Sequence, residues 1–418
     1  MLTVHTFAKD HRGCGTWDTA PVLMVLSILA TGCGQGDTPS SPVSRYDSAG
    51  VVIVENGSTS PSDGGEWRVG PNPVLSIGTI EGEAHDQLFQ VAGVRRISDG
   101  RIAIVNAGSH QVRIFGPEGT FLRSFGDRGS GPEEFEMPAL AGAVGDTLII
   151  VDRAHHRLTF VHPDEGLVGL VRVSDEVGGF LNPAGSFANG QTVFGGAFDM
   201  RRTGEMKNGM NRAGTFYRSC DLSGFLAADF GDKPGAEFFI RSMEAEGRAA
   251  RPAVIPFARI PVATVSPHFL FFSAQDRYEI EVFEPSGRLV RLIRMEHDPI
   301  PVTAEDGRRH IDGVLEQVGR PDQEAEIRAH LASLPLPDHF PPHGRLLADD
   351  LDYLWVEEYQ RPGAETRAWN IFDPEGVLVA RANLPGRFNP TQIGRHFILG
   401  LGWDEMNVEY VRMYRLTR

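Results

Sequence analysis

Residues 99–126 read DGRIAIVNAGSHQVRIFGPEGTFLRSFG. Ile102, Ile104 and Val105 are β-branched, as a buried strand requires, and Val112, Ile114 and Phe115 follow across a short polar loop. Gly116-Pro117-Glu118-Gly119 is a turn: proline presets φ for its second position, and the closing glycine accepts a left-handed conformation. Phe121, Leu122 and Phe125 begin a third strand.

The unit recurs. His162-Pro163-Asp164-Glu165-Gly166, Glu284-Pro285-Ser286-Gly287 and Asp373-Pro374-Glu375-Gly376 repeat the turn, and Asp221-Leu222-Ser223-Gly224 is a looser version. Apolar strand pairs precede each, among them LIIV with RLTFV and YLWVEEY with AWNIF, and HFILGLGW with EYVRMYRL ends the chain. Gly100, Gly145 and Gly190 open successive units at an interval of about 45 residues, the period of a four-stranded propeller blade. Six units result. The spacing predicts an all-β fold, a six-bladed β-propeller of four-stranded antiparallel blades. The last unit supplies too few strands for a complete blade. Val74-Leu75-Ser76-Ile77-Gly78 matches the FLRSFG strand and is expected to complete it, leaving no open edge.

The stretch FGDRGSGPEEFEMP, Phe125 to Pro138, is similar to the G-x-G-P-G-E-F linker between blades of NHL-repeat proteins. From Val51 to Arg418 the chain resembles the bacterial six-bladed β-propeller lipoproteins related to that family.

Ahead of this repeat, PVLMVLSILA (residues 21–30) is apolar but too short to span a bilayer, and it reads as the core of a signal peptide. Ala30-Thr31-Gly32-Cys33 resembles the bacterial lipobox, which implies removal of residues 1–32 and lipidation of Cys33; an ordinary secretory signal is the alternative. Residues 33–50 then form a polar tether, and residues 51–418 the propeller. Contact with a membrane is expected through the lipid alone, on the periplasmic or cell-surface side. The 55 Asp and Glu against 40 Lys and Arg give a net charge of −15, which excludes the basic footprint of a nucleic-acid binder.

Three insertions interrupt the period, at 199–214, 240–254 and 303–340. The first is a long central loop of the third unit. The second is polar and tolerant of helix. The third carries the clearest helical pattern, near 303–334: Thr303 and Asp306 form a capping box, and Ile311, Val314, Leu315 and Val318 share a face.

No GxSxG, HExxH or GxxxxGK[ST] pattern occurs in the sequence. His155 and His156 are adjacent and so point apart, and Asp152 is expected to accept backbone bonds in the turn that follows it. A polar residue flanks the start of each unit's first strand: Gln90, Glu136, Asn182, Arg259, His339 and Asn389. Six such residues converging on one axis form a candidate binding site at the channel mouth. Since the links and the second-to-third loops share one end of a propeller, all the long excursions fall beside them. The sequence thus favours a protein that binds a small ligand or an envelope protein on that face over an enzyme. A propeller hydrolase, lactonase or lyase with Ca²⁺ or Zn²⁺ in its channel is the rival, and a structural scaffold in the envelope is a third reading. Only Glu136 is anionic among the six, whereas a hard cation wants several carboxylates.

Overall fold

In the computed structural model, residues 43–58, 67–179, 181–195, 207–243, 248–362 and 366–418 are described. Cys33, expected to carry a lipid, lies outside them, as do residues 1–32, expected to be a signal peptide, and residues 199–206 of the third unit.

The chain is mostly β. Among the described residues the larger sheets number six, each built on consecutive antiparallel strands. Sheets 1 and 2 hold residues 91–125 and 138–172, and sheet 5 holds residues 346–385, four strands apiece. Sheet 3 (183–254) has five strands. Sheet 4 (262–295) gains two strands from the N-terminal region, and sheet 6 (388–417) gains Arg68–Val69 and Leu75–Ile77. Ile77, Ser76 and Leu75 pair antiparallel with Val411, Arg412 and Met413, so the last sheet draws strands from both halves of the sequence.

The first strand of each sheet touches the first strand of the next, and that of sheet 6 touches that of sheet 1. A cavity of about 660 Å³ is lined by all six of these strands. They approach closely because they are rich in glycine and alanine. At Gly93, φ is 147°, and an added Cβ would sit 2.4 Å from the Cβ of Leu140 in sheet 2. Apolar side chains fill the gaps between neighbouring sheets. Ile102, Ile104 and Phe115 of sheet 1, for example, bury against Leu399 and Val411 of sheet 6. The core is therefore divided into layers, each shared by two sheets.

The strand order gives the assembly two ends. The first-to-second and third-to-fourth turns are short and share one end, here the turn end. The opposite, link end carries the second-to-third loops and the links between sheets.

Three segments differ from the sequence reading. Residues 43–50 are no tether: Val43–Ser48 and Val51–Asn56 form a hairpin, and Val51–Asn56 runs parallel to Leu289–Met295 on the outer edge of sheet 4. Within the second insertion, residues 240–243 and 248–254 are strand and not helix. Leu226–Met243 is one eighteen-residue strand, Arg248–Val254 pairs back onto it, and the alternation of buried Phe238 and Ile240 continues the strand period. Gly209 to Gly214 likewise belong to strand Gly209–Cys220. The helical insertion consists of α1 (Ala304–Val318) and α2 (Glu324–Ala332). Thr303 Oγ1 accepts the Asp306 N–H, and Asp306 accepts the Thr303 N–H in return.

Candidate functional site

A repeated latch fixes the start of the first strand in four of the six sheets. In sheet 2 Asp152, wholly buried at the end of the second strand, accepts the backbone N–H groups of Glu136, Met137 and Ala154 at 3.2, 3.1 and 3.3 Å. His155 Nδ1 stands 2.7 Å from Oδ2, the oxygen that also takes the Glu136 N–H, and Arg157 reaches the carbonyls of Ser130 and Glu134 in the incoming link. Burial alone would push the Asp152 carboxyl up; the bonds from His155, Met137 and Glu136 outweigh it and hold the group below the ordinary carboxylate range. Sheet 1 does the same with Asn106, which takes the Phe89 N–H, and Arg113, which donates to the carbonyls of His85 and Gln87. Gln275 takes the Ile260 N–H, and Glu357 holds Arg345. The latch residue differs from sheet to sheet, which is why the sequence does not display it as a column.

The six residues chosen from the sequence do not meet on one axis. Asn389 alone lines the central cavity, where the Arg345 guanidinium is bonded to it. Arg259 and His339 line a separate cleft of about 500 Å³ at the link end. Asn182 lines a third depression, again beside Arg345. Gln90 and Glu136 line none of these cavities. Asn389 sits inside its strand, whereas the other five stand ahead of theirs, and a charged group there does better with a partner in its own link than across a channel. Glu136 pairs with Arg128 at 2.9 Å, which holds its carboxyl below the ordinary range. Arg259 donates to Glu237 at 2.8 Å and to Asp276 at 2.8 Å, so Glu136 and Arg259 each have a partner within the chain.

The central cavity itself is nearly neutral. Ala92, Gly93, Ala141, Gly142, Ala184 and Gly185 make up much of its wall. Its carboxylates stand toward the turn end and are committed: Asp349 is buried against Arg418, while Asp350 accepts from Gln392 at 2.9 Å with Arg95 at 3.8 Å. Among the described residues no three His, Cys, Asp or Glu side chains stand together in a way that holds a metal ion. Ca²⁺ or Zn²⁺ does not fit this donor set. Among the described residues one Ser–His side-chain pair stands out, Ser273 with His343 at 2.8 Å, but both are sealed in the core. Burial pushes the His343 imidazole down to about 4, and the neutral ring bonds the Gly344 carbonyl at 2.8 Å through Nδ1. No substrate reaches that serine.

The cleft is the better site. Link 296–345 folds over the loop 274–278 of sheet 4, which brings His297, Asp338 and His339 opposite Arg259, Asp276 and Arg277. Pro299, Pro337, Phe340 and Tyr278 supply apolar walls. His297 is half-buried, and burial lowers its pKa, so at neutral pH it presents an uncharged ring. Asp276 and Arg277 were within reach of sequence reasoning, because a second-to-third loop shares its end with the links. His297 was not, since its place depends on how a fifty-residue link folds back.

No protein-family model matches the chain. The RING finger protein nhl-1 of Caenorhabditis elegans is 28% identical over 89 residues, which are 21% of this chain and 9% of that protein. An exported protein of Bacteroides fragilis is similar in structure over 88% of this chain and 100% of its own, at 10% identity and a TM-score of 0.49. Virginiamycin B lyase of Staphylococcus aureus, a β-propeller-like protein, covers 84% of this chain and is itself covered in full, at 13% identity and a TM-score of 0.38.

Proposed function

We propose that this chain is an exported, lipid-anchored six-bladed β-propeller that binds a small molecule at its link end, in the cleft between Arg259 and His339. The six sheets are its blades, and the contacts between successive first strands support the closed ring. The observation that carries the binding site is the cleft itself: it is the one place where two of the six chosen residues face a common space, and it offers guanidinium, carboxylate and imidazole groups beside apolar walls. Such a site suits a polar molecule with one apolar face. The lyase or lactonase reading lacks support in the central channel, whose carboxylates are already bonded to arginine or glutamine.

Native mass spectrometry of protein purified gently from its source envelope tests the reading. Wild type is expected to retain a small-molecule adduct in the cleft, and Arg259→Ala combined with His339→Ala to lose at least about tenfold in its occupancy, the worth of one desolvated polar contact. An adduct retained equally by the double variant overturns the proposal.

A further inference from the structure

We propose that two copies of this chain associate through strand Val43–Ser48, which pairs antiparallel with its counterpart across a two-fold axis at Tyr46. This association depends on neither the ligand cleft nor the lipid anchor.

Val43–Ser48 is the outermost strand of sheet 4, and among the described residues it pairs with Val51–Asn56 alone. It differs from the other outer strands. Phe121–Phe125, Gly166–Arg172, Arg248–Val254 and Leu378–Pro385 each meet their neighbour with a shift of register. Sheet 6 ends in strands of two and three residues. Shifts and short strands blunt an edge, because they take its free N–H and C=O groups out of line. Val43–Ser48 is paired over six residues in unbroken register, is exposed from Ser44 to Ser48, and contains neither proline nor lysine. Such an edge is a template for another strand.

The backbone fixes which residues face that edge. Ala49 and Gly50, at φ of 53° and 82°, make a two-residue turn, so the flanking Ser48 and Val51 exchange hydrogen bonds. Alternation gives Tyr46 and Ser44 the same facing. The other side of the hairpin agrees: the Asn56 carbonyl accepts the Glu296 N–H, so Asn56 and Val54 face strand Leu289–Met295 and Ile53 faces Tyr46. The backbone N–H and C=O groups of Arg45 and Asp47 therefore point away from sheet 4.

These two residues select the partner. A two-fold pairing that matches outward groups with outward groups is centred on Arg45, on Tyr46 or on Asp47. The first sets Arg45 against Arg45 of the second copy, and the last sets Asp47 against Asp47. Centred on Tyr46, Arg45 of each copy meets Asp47 of the other, and each such pair exchanges backbone hydrogen bonds. Opposite charges directly across two strands attract and like charges repel. Burial lowers the pKa of Arg291, and the neighbouring Arg45 cation lowers it further. A carboxylate arriving from the second copy relieves that repulsion.

Disulfide trapping in the full chain tests the pairing, since a six-residue edge is a small interface whose partners exchange readily. Tyr46 faces Tyr46 at a non-hydrogen-bonded position, with Cα atoms about 4.5 Å apart, within reach of a disulfide. The two Ser44 residues stand about 13 Å apart, beyond that reach. Under mild oxidation Tyr46→Cys is expected to give at least about tenfold more covalent dimer than Ser44→Cys, each measured above the wild type with its own three cysteines. Adding Arg45→Asp to Tyr46→Cys should cut the dimer about tenfold, and adding Asp47→Arg as well should restore it. Equal yields at positions 44 and 46, a yield at 46 that ignores Arg45→Asp, or a loss that the charge exchange does not recover overturns the pairing. A Tyr46→Cys chain that stays monomeric, or that couples to a protein of another mass, overturns self-association.

Discussion

Asp152→Ala is expected to destabilise the protein by about 3–5 kcal/mol, the cost of removing one partner of a buried ionic group. The carboxylate is fully buried, and Arg157, almost as deep, would be left with no carboxylate beside it. Three backbone N–H groups would lose their acceptor in the same step. Asp152→Asn should cost only about 1–2 kcal/mol, because the amide oxygen still accepts and only the charge is lost. Asn106 does the same work in sheet 1. The pH dependence follows from the direction of the shift. The folded carboxyl titrates below its ordinary value, so its stabilisation is present above the unfolded pKa and is lost as pH falls through the folded one. The wild type should thus lose more stability between about pH 5 and pH 2 than Asp152→Asn does. Urea unfolding at several pH values, followed by tryptophan fluorescence, measures both effects. Equal midpoints for wild type and Asp152→Ala at pH 7 would show that the latch contributes nothing.

A chain beginning at Thr79 is expected to lose about 3–6 kcal/mol through two buried side chains alone. Leu75 and Ile77 are buried between sheets 6 and 1, against Leu88, Val94 and Phe115. Their removal also bares the edge of strand Glu409–Thr417 and takes Trp67 from its edge contact with Trp355 and from beneath Arg418. The double variant Leu75→Ala with Ile77→Ala separates packing from the strand pairing, and should account for about 4 kcal/mol or more if both sites collapse poorly. Calorimetry of the truncated chain with an unchanged melting temperature would mean that sheet 6 closes without the N-terminal strand.

What the sequence displayed was local. The GPEG turn and its relatives announce themselves because proline and glycine fix backbone angles, and the strands beside them show an apolar run that no other element explains. The Thr303–Asp306 cap is visible for the same reason. What stayed hidden depends on distant pairing. Nothing in VVIVEN says that it will run parallel to a strand near residue 291, and Phe238 and Ile240 read as strand only once the long partner Gly209–Cys220 is beside them. The candidate site shows the same division. The starts of the first strands are legible from the period, but which way a side chain turns from there depends on its partners. Glu136 turns to Arg128, Asn389 is taken by Arg345, and Arg259 reaches a cleft whose far wall comes from a link some forty to eighty residues further on.

The central claim is that the link end works and the turn end does not. Benzoylphenylalanine placed at Leu336, beside the cleft, in one variant and at Ser286 in another tests it in the intact cell envelope; both positions are exposed, one on each end. On irradiation, covalent adducts to a bound molecule are predicted at position 336 and none at position 286. Adducts at 286 with none at 336 would contradict the account.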